Sequence, residues 1–356
     1  MRRRGRLLRT EQAQTADAQP LVTFLVPCYN SAAYMSRCID SLLVANRPVE
    51  IIVVNDGSTD NTLEIANDYA SRYGNVVVID QQNNGWGSGV NRGLEVARGL
   101  YFKVVDSDDW LEGSALSRVL STLDALVSTD QAPDLLLTNF VYDHTVDEST
   151  HQIAYRNYLP EGRIFSWSEA RRATIDQRIM VHAAWYLAPL LRETGVHLPE
   201  GVAYMDSYYV LHPLPFTRKL YYLDVDAYHY MVGRTDQSVN VEVVKAHIDD
   251  QLYATRVAID DYDQAELKLI EPKMAECRLR DIIAMISVST THLFMIDTPE
   301  AIEKNREMWS YLKERDSVLY EGVRHSFAGW ANRRTAPGRA ATRLVYDITR
   351  RIFKFS

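Results

Sequence analysis

From Leu21 onward the chain alternates short apolar runs with amphipathic stretches. Leu21–Pro27 (LVTFLVP), Val49–Val54 (VEIIVV), Val76–Ile79 and the run that opens Tyr101–Trp110 (YFKVVDSDDW) are brief and β-branched, the pattern of buried strands. Between them the apolar positions recur at helical spacing. One helix is predicted from Ser31, with Met35, Ile39, Leu42 and Leu43 on one face, ending before Pro48. Asp60 is placed to cap a second, whose apolar face includes Leu63, Ile65 and Ala66. A glycine-rich loop over Gln81–Gly89 then leads to a third helix over Val90–Ala97. Strand and helix at this spacing imply an α/β fold with a mainly parallel sheet flanked by crossover helices, Rossmann-like in layout.

Beyond Trp110, Ser114 is the expected cap of a helix to Leu126, and Leu135–Tyr142 returns as a strand. Residues His144–Pro160 read as an irregular or antiparallel excursion, and Phe165–Ile179 as a helix with Ser168 as cap. Tyrosines then crowd the chain from Tyr204 to Tyr230, and from Val241 it becomes helical and more polar. The expected organisation is a basic arm over 1–20, a domain over 21–240 with halves 21–110 and 111–240, and a helical region over 241–356.

Composition narrows the class. With 356 residues and 46% hydrophobic content, a sizeable core is available. A formal net charge of -8 argues against a nucleic-acid binder, which needs a basic surface. Arginines nevertheless cluster at both ends, from Arg2 to Arg9 and from Arg333 to Arg351. Cys28, Cys38 and Cys277 match neither a disulfide framework nor a zinc site and are read as reduced thiols of a cytoplasmic protein. Leu7 and Leu8 stand alone among arginines, unlike a signal peptide, and no stretch is expected to be apolar for the ~20 residues a membrane span needs.

The chemistry collects at strand ends. Asp106, Asp108 and Asp109 follow an apolar run and repel one another unless water solvates them or a cation neutralises them. Asn30, Asp56, Asn83 and Asn84 each follow a different apolar run, and a parallel sheet brings such positions to one edge, where ligands bind. A solvated acidic turn is the bland reading of the carboxylates, and a turn cap that of Asp56.

Four blocks in order carry a family likeness: PCYN (Pro27–Asn30), VVNDGSTDNT (Val53–Thr62), QNNGWGSGVNRGL (Gln82–Leu94) and VVDSDDWL (Val104–Leu111). Together they resemble the nucleotide-sugar half of family 2 glycosyltransferases with the GT-A fold, clearly over Leu21–Trp110 and more weakly to Asn240. The resemblance implies that Pro27, Tyr29 and Asn30 line a nucleotide pocket, that Asp56 accepts a hydrogen bond from uracil, and that Asn83 and Asn84 close over base and ribose. It implies that Asp106 approaches the ribose and donor sugar while Asp108 binds a divalent metal, Mn2+ or Mg2+, bridging the diphosphate. A general base is implied in HLPEGVAYMDSYYV (His197–Val210), where Met205-Asp206 stands for the usual Glu-Asp pair and Asp206 retains the carboxylate.

There are departures. Val90 replaces the arginine expected to contact diphosphate, and Arg92 lies elsewhere round the helix. Arg234, in YHYMVGRTDQSV (Tyr228–Val239), is the expected replacement, and His229 a further metal-ligand candidate. Asp206 has its own bland reading as a helix cap, and Arg234 as a surface arginine. The expected activity is inverting transfer of a sugar, from a UDP-sugar, to a hydroxyl of a glycan or lipid-linked acceptor. Two alternatives stand beside it: a nucleotidyltransferase, which would want a glycine- and lysine-rich loop where PCYNSAAY stands, and a catalytically silent glycan-binding scaffold, motivated by Val90 and Met205.

Last, Arg339–Phe355 places Leu344, Val345, Ile348, Ile352 and Phe355 on one helical face with arginines elsewhere. This reads equally as a peripheral contact with the inner face of the cell membrane and as packing on the chain's own domain or on a second subunit of an oligomer.

Overall fold

The computed structural model describes residues 19–145, 147–174, 177–234 and 241–353. The expected basic arm lies outside them except for its last two residues, as do residues 235–239 of the arginine segment and Phe355.

A ten-stranded mixed sheet forms the centre, in the order β3-β2-β1-β4-β9-β6-β10-β5. Its first half is parallel: β1 (Val22–Cys28), β2 (Val49–Asp56), β3 (Val76–Gln81) and β4 (Tyr101–Val104). The crossover helices are α1 (Met35–Leu43), α2 (Thr62–Arg72) and α3 (Gly85–Val96). In α1, Met35, Cys38, Ile39 and Leu42 are buried, close to the expected stripe. Asp60 takes the Thr62 N–H at 3.0 Å where α2 begins.

The third helix starts at Gly85, five residues before its sequence-based boundary, so the glycines are helical and not a loop. At Gly87 and Gly93 other chain segments come too close for side chains. A Cβ on Gly93 would lie 2.2 Å from Leu25 Cδ1, and one on Gly87 2.9 Å from Pro199 O.

The second half of the sheet comprises β5 (Trp110–Leu111), β6 (Leu135–His144), β7 (Thr150–Ile153), β8 (Ile164–Phe165), β9 (Ala184–Leu187) and β10 (Leu220–Val232). Strand β7 pairs antiparallel with β6, as the excursion implied. Helix α4 (Gly113–Ser128) is capped by Glu112, which accepts the N–H groups of Ser114 and Ala115, and not by Ser114. The helix expected over Phe165–Ile179 is absent among the described residues. Ser166, not Ser168, caps a single 3-10 turn at Trp167–Glu169, and Ala170 is already extended. Side chains take over the backbone partners there: the Gln177 amide accepts the Thr174 N–H at 3.0 Å and donates to Ala154 O at 2.8 Å. Two short helices, α5 (Ala188–Glu193) and α6 (Asp206–Leu211), precede β10.

Helices α7 (Val241–Ala246), α8 (Ile248–Asp260), α9 (Gln264–Ile270), α10 (Pro272–Ile296), α11 (Pro299–Arg315), α12 (Ser317–Arg324), α13 (Phe327–Ala331) and α14 (Ala336–Phe353) complete the chain. One apolar cluster runs from β1 and the sheet into Leu252, Leu293 and Val323 of this region. Arg178 binds Asp281 at 2.5 Å and His212 binds Asp261 at 2.8 Å across the same junction. By length and composition α10 could cross a membrane, contrary to the expectation that no stretch would. Its Arg278 and Asp281 are buried and paired with Asp261 and Arg178, which marks it as a core helix.

Candidate active site

The carboxyl ends of β1 to β4 lie side by side, and the turns that follow are stitched together. After β1, Asn30 adopts φ 50°, and its side-chain oxygen accepts the Thr59 N–H at 2.8 Å while its own N–H goes to Ser58 Oγ at 2.9 Å. Tyr29 is left half exposed beside it, and Pro27 lies within reach of Gly89 on α3.

After β2, Asp56 is almost fully buried and holds the start of α3. Its Oδ1 accepts the Asn84 N–H at 3.0 Å and the Gln81 amide at 2.8 Å, and its Oδ2 accepts the Gly85 N–H at 2.8 Å. Negative charge at a helix N-terminus is favourable, so the carboxylate serves α3 as well as any ligand. Gly57 follows with φ 68°, and the Asn83 backbone packs directly on it. Asn83 and Asn84 thus border the Asp56 turn, and the Asn84 amide also bonds Glu200.

After β4 the acidic cluster divides its tasks. Asp106 Oδ1 accepts the Trp86 indole N–H at 2.8 Å. Burial, and then the charge of Asp108, push its carboxyl up to about 7. Asp109 is fully buried; it accepts the Tyr228 hydroxyl at 2.5 Å and the Met231 N–H at 2.9 Å, and burial holds its carboxyl well above the ordinary range. Asp108 is more open and meets Arg234 Nη1 at 3.1 Å. The Arg234 guanidinium lies 4.1 Å over the Tyr34 ring, which fixes it at the mouth of the cluster.

Hard oxygen donors crowded until they resist ionisation suit a divalent cation such as Mn2+ or Mg2+. His182 stands behind them, with ligand atoms of Asp106, Asp109 and His182 all within 4.8 Å of one another and its Nδ1 without a hydrogen-bond partner. His229 is elsewhere. It follows Tyr228 on β10 and therefore points to the opposite face, where it binds Asp143 at 2.6 Å and stacks on Trp110.

Asp206 opens α6. Burial pushes its carboxyl above the ordinary range, and α6 is linked to the acidic cluster through Trp86, which bonds Asp106 and packs edge-on against Tyr209. Val90 is buried and Arg92 pairs with Glu95, so no cation reaches the cluster from this part of α3.

These turns, in this order on this sheet, have counterparts. Residues 23–148 match the sequence model of glycosyl transferase family 2. The chain carries a family 2 glycosyltransferase domain. Among curated relatives, the putative glycosyltransferase EpsH of Bacillus subtilis is 32% identical over 222 residues, 60% of this chain and 61% of that one. The poly(ribitol-phosphate) beta-glucosyltransferase of Bacillus spizizenii is 42% identical over 102 residues, 27% of this chain and 16% of its own length. The chain thus spans less than two thirds of these relatives. The crystal structure of S. aureus TarS 1-349 in complex with UDP-GlcNAc superposes with a TM-score of 0.64 at 21% identity, covering 92% of this chain and 91% of that one. The mannosyltransferase PcManGT from Pyrobaculum calidifontis, in complex with GDP-Man and Mn2+, gives 0.53 at 16% identity, covering 96% and 89%. At such identities the likeness is one of fold, and it confirms the GT-A architecture of the family 2 domain with its helical C-terminal region.

Sequence reasoning passed over Trp86, Tyr228 and His182 as site residues. Trp86 was hidden in a stretch read as loop, and Tyr228 was one of many tyrosines; only strand pairing shows that its side chain, not that of His229, faces Asp109.

Proposed function

We propose that this chain is an inverting glycosyltransferase that moves a sugar from a nucleoside-diphosphate sugar, a UDP-sugar, to a hydroxyl of a cell-surface glycan or related polymer. The observation that carries this reading is that Trp86 donates to Asp106 at 2.8 Å and packs edge-on against Tyr209 of α6, the helix Asp206 opens, so one side chain links the donor-half carboxylates to the acceptor half. The relatives named for transfer to poly(ribitol-phosphate) and the structures named with UDP-GlcNAc and GDP-Man support the donor and acceptor classes.

In this mechanism the pocket of Pro27, Tyr29, Asn30, Asp56, Asn83 and Asn84 takes the nucleotide. Asp106 orients the ribose and sugar. Asp108 would hold Mn2+ or Mg2+, which when bound supplies the positive charge that makes diphosphate a better leaving group. Arg234, held by Asp108 and Tyr34, is placed to meet the diphosphate. Asp206 takes the acceptor proton as its oxygen attacks the anomeric carbon, and one displacement inverts that centre. A buried carboxylate is a stronger base than a solvated one, which suits Asp206 to the task.

The test is a pair of variants. Asp108→Ala is expected to abolish manganese-dependent donor binding, while Asp206→Asn keeps donor binding and loses transfer; full transfer by Asp206→Asn would remove it from the mechanism.

The proposed setting is cytoplasmic and peripheral at the membrane. Leu344 and Ile348 remain 61% and 47% exposed on α14, whereas Arg339 and Arg343 turn inward to Asp297. Flotation of full-length protein with anionic liposomes, lost in a Leu344→Ser/Ile348→Ser variant, supports this setting. Equal recovery in the pellet sinks it.

A further inference from the structure

The segment that carries Asp206 is fastened to the helix that organises the donor site, and one side chain grips it by two hydrogen bonds. On α3, the Asn91 amide makes two hydrogen bonds to a single residue: Nδ2 donates to Leu198 O at 2.8 Å and Oδ1 accepts the Leu198 N–H at 2.9 Å. A planar amide bound to both polar groups of one residue fixes position and rotation together, as a strand partner would. Further contacts follow along the same face. Gly201 N–H donates to Asn84 O at 2.6 Å, the Asn84 amide bonds Glu200, and Gly87 leaves room for Pro199 O. The segment then turns through Tyr204, held at φ 63°, and the buried Met205 into Asp206.

The same helix touches the donor carboxylates at its N-terminal end. Its first turn sits on Asp56, and Trp86 holds Asp106 while packing edge-on against Tyr209 of α6. Helix α3 is therefore in contact with the nucleotide turn, the acidic cluster and both ends of the segment 198–209. Misplacing a reacting group by about 1 Å can cost ~100-fold in rate. A fastening that sets Asp206 relative to the donor is worth a large share of kcat without touching substrate.

We infer that Asn91 is a positioning residue for Asp206, acting through the segment 198–205, an inference that rests on Asp206 being the general base. Its bonds to Leu198 set where α6 begins, and its loss lets the base drift while the nucleotide turn stays in place. Nothing in this role calls on Asn91 to contact donor or acceptor.

The experiment uses the full chain and, as probe, whichever UDP-sugar the wild-type protein hydrolyses fastest with manganese, water standing in for the acceptor. Asn91→Ala is expected to lower kcat about 10- to 100-fold while UDP affinity stays within about twofold. Asn91→Asp, which still accepts from Leu198, recovers part of the rate and keeps the test open should the alanine variant fail to fold. In the Asp206→Asn background, Asn91→Ala should cost nothing further, since both act on one step. Unchanged kcat, a parallel loss of UDP affinity, or a loss that adds fully to that of Asp206→Asn overturns the inference. Failure of the underlying reading looks different: Asp206→Asn alone keeps full turnover, or wild type hydrolyses no UDP-sugar.

Discussion

The Tyr228 hydroxyl donates to Asp109 Oδ2 at 2.5 Å and at the same time accepts the Asp106 N–H at 3.1 Å. One phenol from the last long strand thus fixes both a buried carboxylate and the backbone of the acidic turn. Tyr228→Phe leaves the shape of the core but strands two buried polar groups. The expected cost is about 1–3 kcal/mol for each partner left unsatisfied, read as a lower urea midpoint with an unchanged slope. Manganese-dependent UDP binding should also weaken, by about 10- to 100-fold, because the groups that orient metal ligands matter nearly as much as the ligands. Binding equal to wild type would show that the turn holds its geometry without Tyr228.

Gly57 offers a test of the donor turn that spares every polar contact. At φ 68° a Cβ is strained, and here it would also lie 2.5 Å from the Asn83 backbone nitrogen. Gly57→Ala is expected to destabilise the protein by about 1–3 kcal/mol and to push the Asn83–Asn84 turn off Asp56. Calorimetric titration with UDP should show weaker binding, whereas an alanine variant with wild-type affinity would mean that Asn83 and Asn84 do not border the nucleotide.

The sheet's parallel half was legible because its signals are local: short β-branched runs, Pro27 at a strand end, and polar residues just beyond each run. The start of α3 was not, because glycine in a sequence signals freedom of the backbone, whereas Gly87 and Gly93 are there for Pro199 and Leu25, neighbours far away in the chain. The helix expected over Phe165–Ile179 failed for a similar reason, since its Gln177 and Arg178 are claimed by Ala154 and Asp281. The acidic cluster announced a site in outline. Which of its members is open and which buried came only from Tyr228, Arg234 and Trp86, brought in from elsewhere.

Asp206 gives a prediction with two signs. Burial raises its pKa, and the ionised form is the one that accepts a proton, so the proposed activity is lost as pH falls through that raised value. The acid limb of kcat/KM should therefore sit above the ordinary carboxylate range. For stability the sign reverses: the folded chain holds the Asp206 proton more tightly than the unfolded chain, so stability declines as pH rises from the unfolded toward the folded pKa. Asp206→Asn removes that penalty and is expected to melt at a higher temperature at neutral pH while losing transfer. A lower melting temperature would mean that the carboxylate is held by contacts that favour its charge.

Two ion pairs to one carboxylate help join the C-terminal helix to the body of the protein. Asp297, at φ 53° just past the end of α10, binds Arg339 at 2.6 Å and Arg343 at 2.5 Å, and these two bonds hold its carboxyl below the ordinary range. A depressed carboxylate stabilises the fold above its unfolded pKa, and that contribution is lost as pH falls through its folded value. Asn tolerates the left-handed backbone, so Asp297→Asn removes charge with little strain. The expected loss is about 1 kcal/mol at neutral pH, seen as faster hydrogen exchange in α14, and the gap from wild type should close on strong acidification. Exchange in α14 that does not respond to Asp297→Asn would show that Thr342, buried against Ala331 O at 2.9 Å, and the apolar contacts around it dock the helix without the ion pairs.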